Sequence, residues 1–244
     1  MYQSLHCVAL RTVRYDDRRA IVTAWSREAG RVSIVVPDGS SREARRRRAM
    51  LMPLSLFEGE SEPRPGREIL SMRDMRPSEV LPDISSVPAK SVVAMFLAEV
   101  LERLLREAQP DELMWRFLQG AIRALDAEER PCGVANFPVT FLYRLGRFAG
   151  VEPDAGAWRP DSFFDMTSGR FVTYPDPSHA SAVLEPAAAA AIPRLARLTF
   201  AASSRLRLDR GLRRRLLAEI LKFYSLHHTD LQHLRSLPVV SEIF

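Results

Sequence analysis

A run of four arginines, Arg45 to Arg48, sits between two β-like apolar segments, and this placement restricts the chain more than any other feature. The stretch opens with Gly30 to Val36, turns at Pro37-Asp38-Gly39, and resumes with Met50 to Phe57. Between Ser40 and Arg48 stand five arginines, Arg42, Arg45, Arg46, Arg47 and Arg48, against one acid, Glu43. A packed core cannot take up four consecutive guanidinium groups, because each needs its own partner to offset desolvation. The run is therefore expected as a loop facing solvent or a polyanion, and on a small β-domain a phosphate-binding surface is the sharper reading.

The chain is long enough, at 244 residues, for one large or two smaller domains. Its hydrophobic content of 46% and charged content of 27% are those of a folded protein and exclude wholesale disorder. The net charge of +5 is unevenly spread. Residues 1–80 hold 15 arginines against 11 acids, residues 81–193 hold 10 basic groups against 15 acidic ones, and residues 194–244 hold 10 against 4. A positive face of this kind steers nucleic acid and gains affinity by counterion release.

Five short segments read as strands: 4–13, 20–25, 31–36, 51–57 and 67–73. Turn signals separate them, and no helical period intervenes. Together they predict a five-stranded barrel of OB-fold size, a fold that binds oligonucleotides across one face and along its loops. Arg11, Arg14, Arg18, Arg19, Arg31 and the Arg42–Arg48 group supply planar forks for phosphates and bases. Tyr15, in a polar turn, is a stacking candidate; Trp25, at the end of an alternating strand, reads as core.

Prolines 77, 82 and 88 mark a linker or wrapping loop, after which the period changes to helical. Helices are expected over 91–107 and 112–125, with Asp111 as N-cap, and over 136–150, with Asn136 at its start and Pro138 just inside. Residues 151–185 break the pattern and suggest a small β-hairpin or irregular insert. Helices return from Pro186, with 208–226 carrying Arg213, Arg214 and Arg215, which read as a solvated face or as an extension of the nucleic-acid track. A short helix is expected around 231–237. The fold class is α+β: an OB-fold domain over 1–80, then a helical bundle domain over 81–244.

Cys7 and Cys132 are isolated, and no set of histidines completes a zinc site with them; no cofactor is expected. His227 and His228 are adjacent and diverge on a helix. No secretory or membrane-spanning segment is legible, so a cytoplasmic protein is expected. Asp16-Asp17 raise the alternative of a metal-dependent nuclease, but adjacent carboxylates diverge and no third ligand is evident. No nucleophile elbow or glycine-rich phosphate loop is present. An RNA-binding protein is the other alternative, since arginine content does not separate RNA from DNA.

Val8 to Tyr15, Ala20 to Val35, Ala49 to Phe57 and Phe141 to Gly150, taken in order, resemble the RecO family of recombination mediators. The likeness covers essentially the whole chain and is nearest to the Bacteroidetes-type members, whose C-terminus His233 to Val239 resembles. It implies an N-terminal OB-fold, binding of single- and double-stranded DNA, strand annealing without catalysis, and a place at the nucleoid. It also implies RecR and the acidic C-terminal tail of single-stranded DNA-binding protein (SSB) as partners. The positions that match the tail-binding groove are Phe117, Asn136, Leu142 and Leu145, with Arg144 or Arg147 supplying charge where Asn136 replaces a basic residue. Some family members carry a four-cysteine zinc site in the insert; here residues 151–185 hold no cysteine, so metal binding is not carried over.

Overall fold

The alternation of small and branched apolar residues in the first 60 positions closes a barrel. A computed structural model of the chain describes residues 2–62, 69–106 and 109–243. Strands β1 (Gln3–Arg14), β2 (Arg19–Ser26) and β3 (Gly30–Pro37) form an antiparallel meander. Their inward positions, Leu5, Cys7, Ala9, Ala20, Val22, Ala24, Val32, Ile34 and Val36, make one buried core. Gly30 has φ of 67°, a conformation only glycine takes cheaply, and this lets β2 turn directly into β3.

Helix α1 (Arg42–Met50) follows, so the expected loop is in fact a helix. Leu51 to Leu54, expected as strand, form the turn that leaves it, with Leu54 at φ 63°. The fourth strand starts later, as β4 (Leu56–Ser61), and the fifth is β5 (Ile69–Pro77). Arg67 and Glu68 of the expected strand lie outside the described residues. β5 pairs parallel with β3 and antiparallel with β4, and β4 returns to β1, closing the order β1-β2-β3-β5-β4. This is the expected five-stranded OB-type barrel.

Helices α2 (Pro82–Ser86), α3 (Pro88–Leu104) and α4 (Glu112–Ala127) complete the first of two compact units, which ends at Ala127. Compactness thus carries this unit past the last strand. The reason is on the barrel's outer surface: Val8, Leu10 and Trp25 alternate with the inward set yet are buried, and α3 packs along β1. Trp25 is core, as its place on an alternating strand suggests. Asp111 caps α4, accepting hydrogen bonds from the Leu113 and Met114 amides.

Several ion pairs fasten these helices. Glu79 accepts from Arg123 at 2.7 and 2.6 Å and from Gln119 at 2.8 Å. The Arg123 hydrogen bonds hold the Glu79 carboxyl below the usual carboxylate range. Between that lowered value and the ordinary one, about 4.3, the unfolded chain binds more protons than the folded one. The stabilisation is therefore full above the ordinary value and lost as pH falls through the lowered one. Glu79→Gln is expected to flatten the acid limb of stability against pH, read from urea unfolding midpoints at several pH values; an unchanged acid limb would show that the pair contributes nothing.

The second unit begins at Glu128. Its central helix α5 (Pro131–Leu145) starts five residues before Asn136, because Pro131 supplies the first helical position. Asn136 and Pro138 therefore lie inside the helix rather than at its head. The insert holds the expected hairpin, β6 (Phe163–Asp165) and β7 (Arg170–Val172), joined by a third strand β8 (Val183–Leu184). Asp165, buried, ties it together: it accepts from the Thr167 amide at 2.9 Å and the Ser168 hydroxyl at 2.7 Å, and lies 2.9 Å from His179 Nδ1. Short helices α6 (Pro186–Ala189) and α7 (Ile192–Arg197) and a 3-10 turn over Phe200–Arg205 precede α8 (Arg210–His227), which Asp209 caps. The Tyr224 hydroxyl donates to the Leu142 carbonyl at 2.8 Å, joining α8 to α5. The tail helix lies later than expected, as α9 (Leu237–Ile243).

Candidate nucleic-acid interface

The arginine run is helical because its ends are well formed. Ser41 accepts a hydrogen bond from the Ala44 amide at 3.0 Å and so caps the first turn. Glu43 stands in that first turn and Arg47 and Arg48 in the last, the charge order that the helix dipole favours. Ala44 is the buried residue of α1 and marks the face toward the barrel.

This geometry divides the five arginines into two groups. Arg47 and Arg48 flank Ala44 and serve the fold. Arg47 donates to the Pro37 carbonyl at 2.9 Å and to Glu43 at 2.7 Å. Arg48 donates to Asp38 and to the Gly39 carbonyl. The Gly39 amide holds the Asp38 carboxyl below the usual range, and Arg48 adds to the effect. Arg42, Arg45 and Arg46 lie at i, i+3 and i+4, one stripe on the side away from Ala44. All three are exposed and have no hydrogen bond or ion pair among the described residues.

The β1–β2 turn adjoins this helix, since the Asp38 amide donates to the Arg18 carbonyl at 2.7 Å. Arg14 pairs with Asp17 and Arg19 with Asp16, both at 2.7 Å, and all four side chains are well exposed. Exposed pairs of this kind hold little energy and yield readily to a phosphate. The Arg18 side chain is exposed and has no partner among the described residues. Tyr15 is 59% exposed, with the Arg19 guanidinium 5.2 Å from its ring centre. Asp16 and Asp17 are thus occupied by arginines rather than gathered at a metal position; among the described residues no group of three or more His, Cys, Asp or Glu could hold a metal ion.

Other sequence candidates serve the fold instead. Arg11 pairs with Glu102 at 3.2 Å and Arg31 donates to the Glu102 carbonyl at 2.8 Å, so both fasten α3 to the barrel. α3 lies along β1 there, while the Arg11 side chain stays 48% exposed. Arg27 does similar work, donating to Glu112 at 2.7 and 3.1 Å. On α8, Arg213 is half-buried: it donates to Asn136 at 2.9 Å and to the Leu208 carbonyl at 3.0 Å, and burial lowers its guanidinium pKa. It is not part of a solvated face. Arg214 is exposed, and Arg215 reaches Glu185 only at 3.7 Å.

An arginine-faced helix on a closed OB-type barrel sets the context for the similarities of the sequence. The family model described as "Recombination protein O N terminal" matches residues 1–80, and "Recombination protein O C terminal" matches residues 86–238. The chain belongs to the RecO family. A relative named DNA repair protein RecO from Phocaeicola vulgatus is 34% identical over 244 residues, covering 100% of both chains. Relatives of the same name are 31% identical in Bacteroides fragilis, again over 100% of both chains, and 25% identical in Flavobacterium psychrophilum, over 97%.

The positions that the RecO resemblance assigns to an SSB-tail groove are placed as follows. Phe117 is half-buried on α4 of the first unit. Asn136, Leu142 and Leu145 in the second unit are fully buried and offer no surface to a peptide. Asn136 is a structural hub, donating from Nδ2 to the Ser203 and Leu206 carbonyls at 3.0 and 2.7 Å while Oδ1 accepts from Arg213. Arg144 donates to the Leu198 carbonyl at 2.5 Å and lies over the Phe200 ring. Arg147 is exposed. Among the described residues no helix is long and apolar enough to cross a membrane.

Proposed function

We propose that this RecO-family chain is a DNA repair protein that binds single- and double-stranded DNA through the α1 stripe and the β1–β2 turn of its OB domain. The observation that carries the reading is the set of three exposed, unpaired guanidinium groups, Arg42, Arg45 and Arg46, on one face of α1. They are free to take an anion, and a stripe of three suits the repeating charge of a phosphate backbone. The contacts read no sequence, so they hold any two strands, lower their mutual repulsion and let complementary bases pair. The action is annealing without bond-making by the protein.

RecR and SSB are the proposed partners, in keeping with the family. With Asn136, Leu142 and Leu145 enclosed, Arg147 is the exposed cation of the assigned set that can meet the acidic tail. The test is annealing of complementary oligonucleotides coated with SSB. The intact protein is expected to accelerate duplex formation well above the spontaneous rate, and Arg42→Ala/Arg45→Ala/Arg46→Ala to return it near that rate. Annealing by the variant at the intact rate would remove α1 from the mechanism.

A further inference from the structure

Beside the stripe of α1 the barrel unit holds an open cavity of about 530 Å³. Met50, Leu56, Met75, Pro77 and Leu81 give it an apolar lining, and Arg46 stands at its edge. Two carboxylates, Glu43 and Glu79, also border it, but each is already held, by Arg47 and by Arg123 with Gln119. Arg76 is likewise paired, with Glu58. Among the described residues that line the cavity, the uncommitted charge is therefore that of Arg46. Val80 on its border is 83% exposed, an apolar flank with nothing over it.

We propose that this cavity receives one unstacked base of single-stranded DNA whose adjoining phosphate lies on Arg46, an assignment that rests on the reading of α1 as a phosphate-binding helix. Its volume falls in the range of sites that enclose small molecules. Methionine thioethers make favourable contacts with aromatic rings, and Met50 and Met75 bring two to one cavity. Every base has a π face, so such a pocket is tolerant of sequence. A duplex would first have to unstack a base, so the cavity gives the single strand its advantage while the arginines serve both forms. The stripe Arg42, Arg45, Arg46 leading to the cavity matches a repeated anion better than the lone carboxylate of a peptide.

Fluorescence anisotropy at one salt concentration tests this with the full chain and three probes of equal length: oligothymidine, an abasic deoxyribose-phosphate strand, and a duplex. Oligothymidine is expected to bind about tenfold more tightly than the abasic strand, the scale of one base contact. Ser85→Trp, an exposed position on the cavity border, is expected to bring that ratio close to one and leave duplex binding unchanged. Equal binding of the two strands by the intact protein, or an undiminished ratio in a folded Ser85→Trp, overturns the base pocket while leaving the phosphate reading intact. Absence of binding to any probe overturns both. Displacement of the base from the cavity by an acidic aromatic peptide, with no competition from the abasic strand, would assign it to a protein partner instead. The intact protein gives a check free of any variant: 5-bromouracil strands are expected to photocrosslink to peptides holding Met50 or Met75, and crosslinks confined to other segments overturn the proposal.

Discussion

Replacing Arg42, Arg45 and Arg46 together by alanine is expected to weaken single-strand binding by roughly 100-fold at moderate salt, three phosphate contacts being lost at once. Stability should change little, because the three side chains are exposed and unpaired and alanine favours helix. Arg47→Ala/Arg48→Ala is the matched control with the opposite signature. Those side chains tie α1 to Pro37, Asp38 and Gly39, so their loss is expected to lower the melting temperature while affinity falls far less. Anisotropy titrations and thermal melts of both variants separate the outcomes. A larger affinity loss in the Arg47/Arg48 variant would place the phosphate contacts on the other side of the helix.

Asn136→Ala is expected to be among the most damaging single changes in the second unit, lowering stability by about 3 kcal/mol. The side chain is fully buried, and its removal takes a donor from the Leu206 and Ser203 carbonyls and the acceptor from Arg213 Nε, leaving Ser203 its bond from the Leu206 amide and Arg213 its bond to the Leu208 carbonyl. A drop of roughly 10 °C in melting temperature should be seen, with single-strand binding at low temperature retained, since α1 lies in the other unit. A melting temperature within a degree or two of the parent's would show that this network is readily rearranged. The same variant bears on the proposed SSB contact: any weakening of tail binding by Asn136→Ala should track unfolding, since Asn136 is buried.

The barrel was legible because its signal is local. Leu5, Cys7 and Ala9, or Val32, Ile34 and Val36, alternate along a single strand, and period-two alternation survives whatever surrounds it. Helix α1 was hidden because its apolar period is nearly absent: Ala44 alone is buried, so nothing recurs. The signal that was present lies in the ends, Ser41 before Arg42-Glu43 and basic residues in the last turn, which is a capping pattern rather than a hydrophobic one. Asn136 misled for the converse reason. Asn followed by Pro138 imitates a helix start, yet Pro131 had already supplied one.

The candidate site was legible as a composition and not as an assignment. Arginine content pointed to a polyanion as the proposed ligand of the OB domain, but which arginines remain free depends on distant partners. Glu102 takes Arg11 and Arg31 from 91 and 71 residues away, and no local pattern announces it. The division of Arg45 to Arg48 into two unpaired and two anchored side chains needs only the helical period, once the helix is known.

The slope of log affinity against log salt counts phosphates directly, where a single affinity can fall for many reasons. With single-stranded DNA the slope for the Arg42/Arg45/Arg46 variant should be shallower than that of the intact protein by about two units, at roughly 0.7 per lost phosphate contact. Parallel lines for the two proteins would contradict the account, because they would mean that the free face of α1 displaces no counterions and holds no DNA.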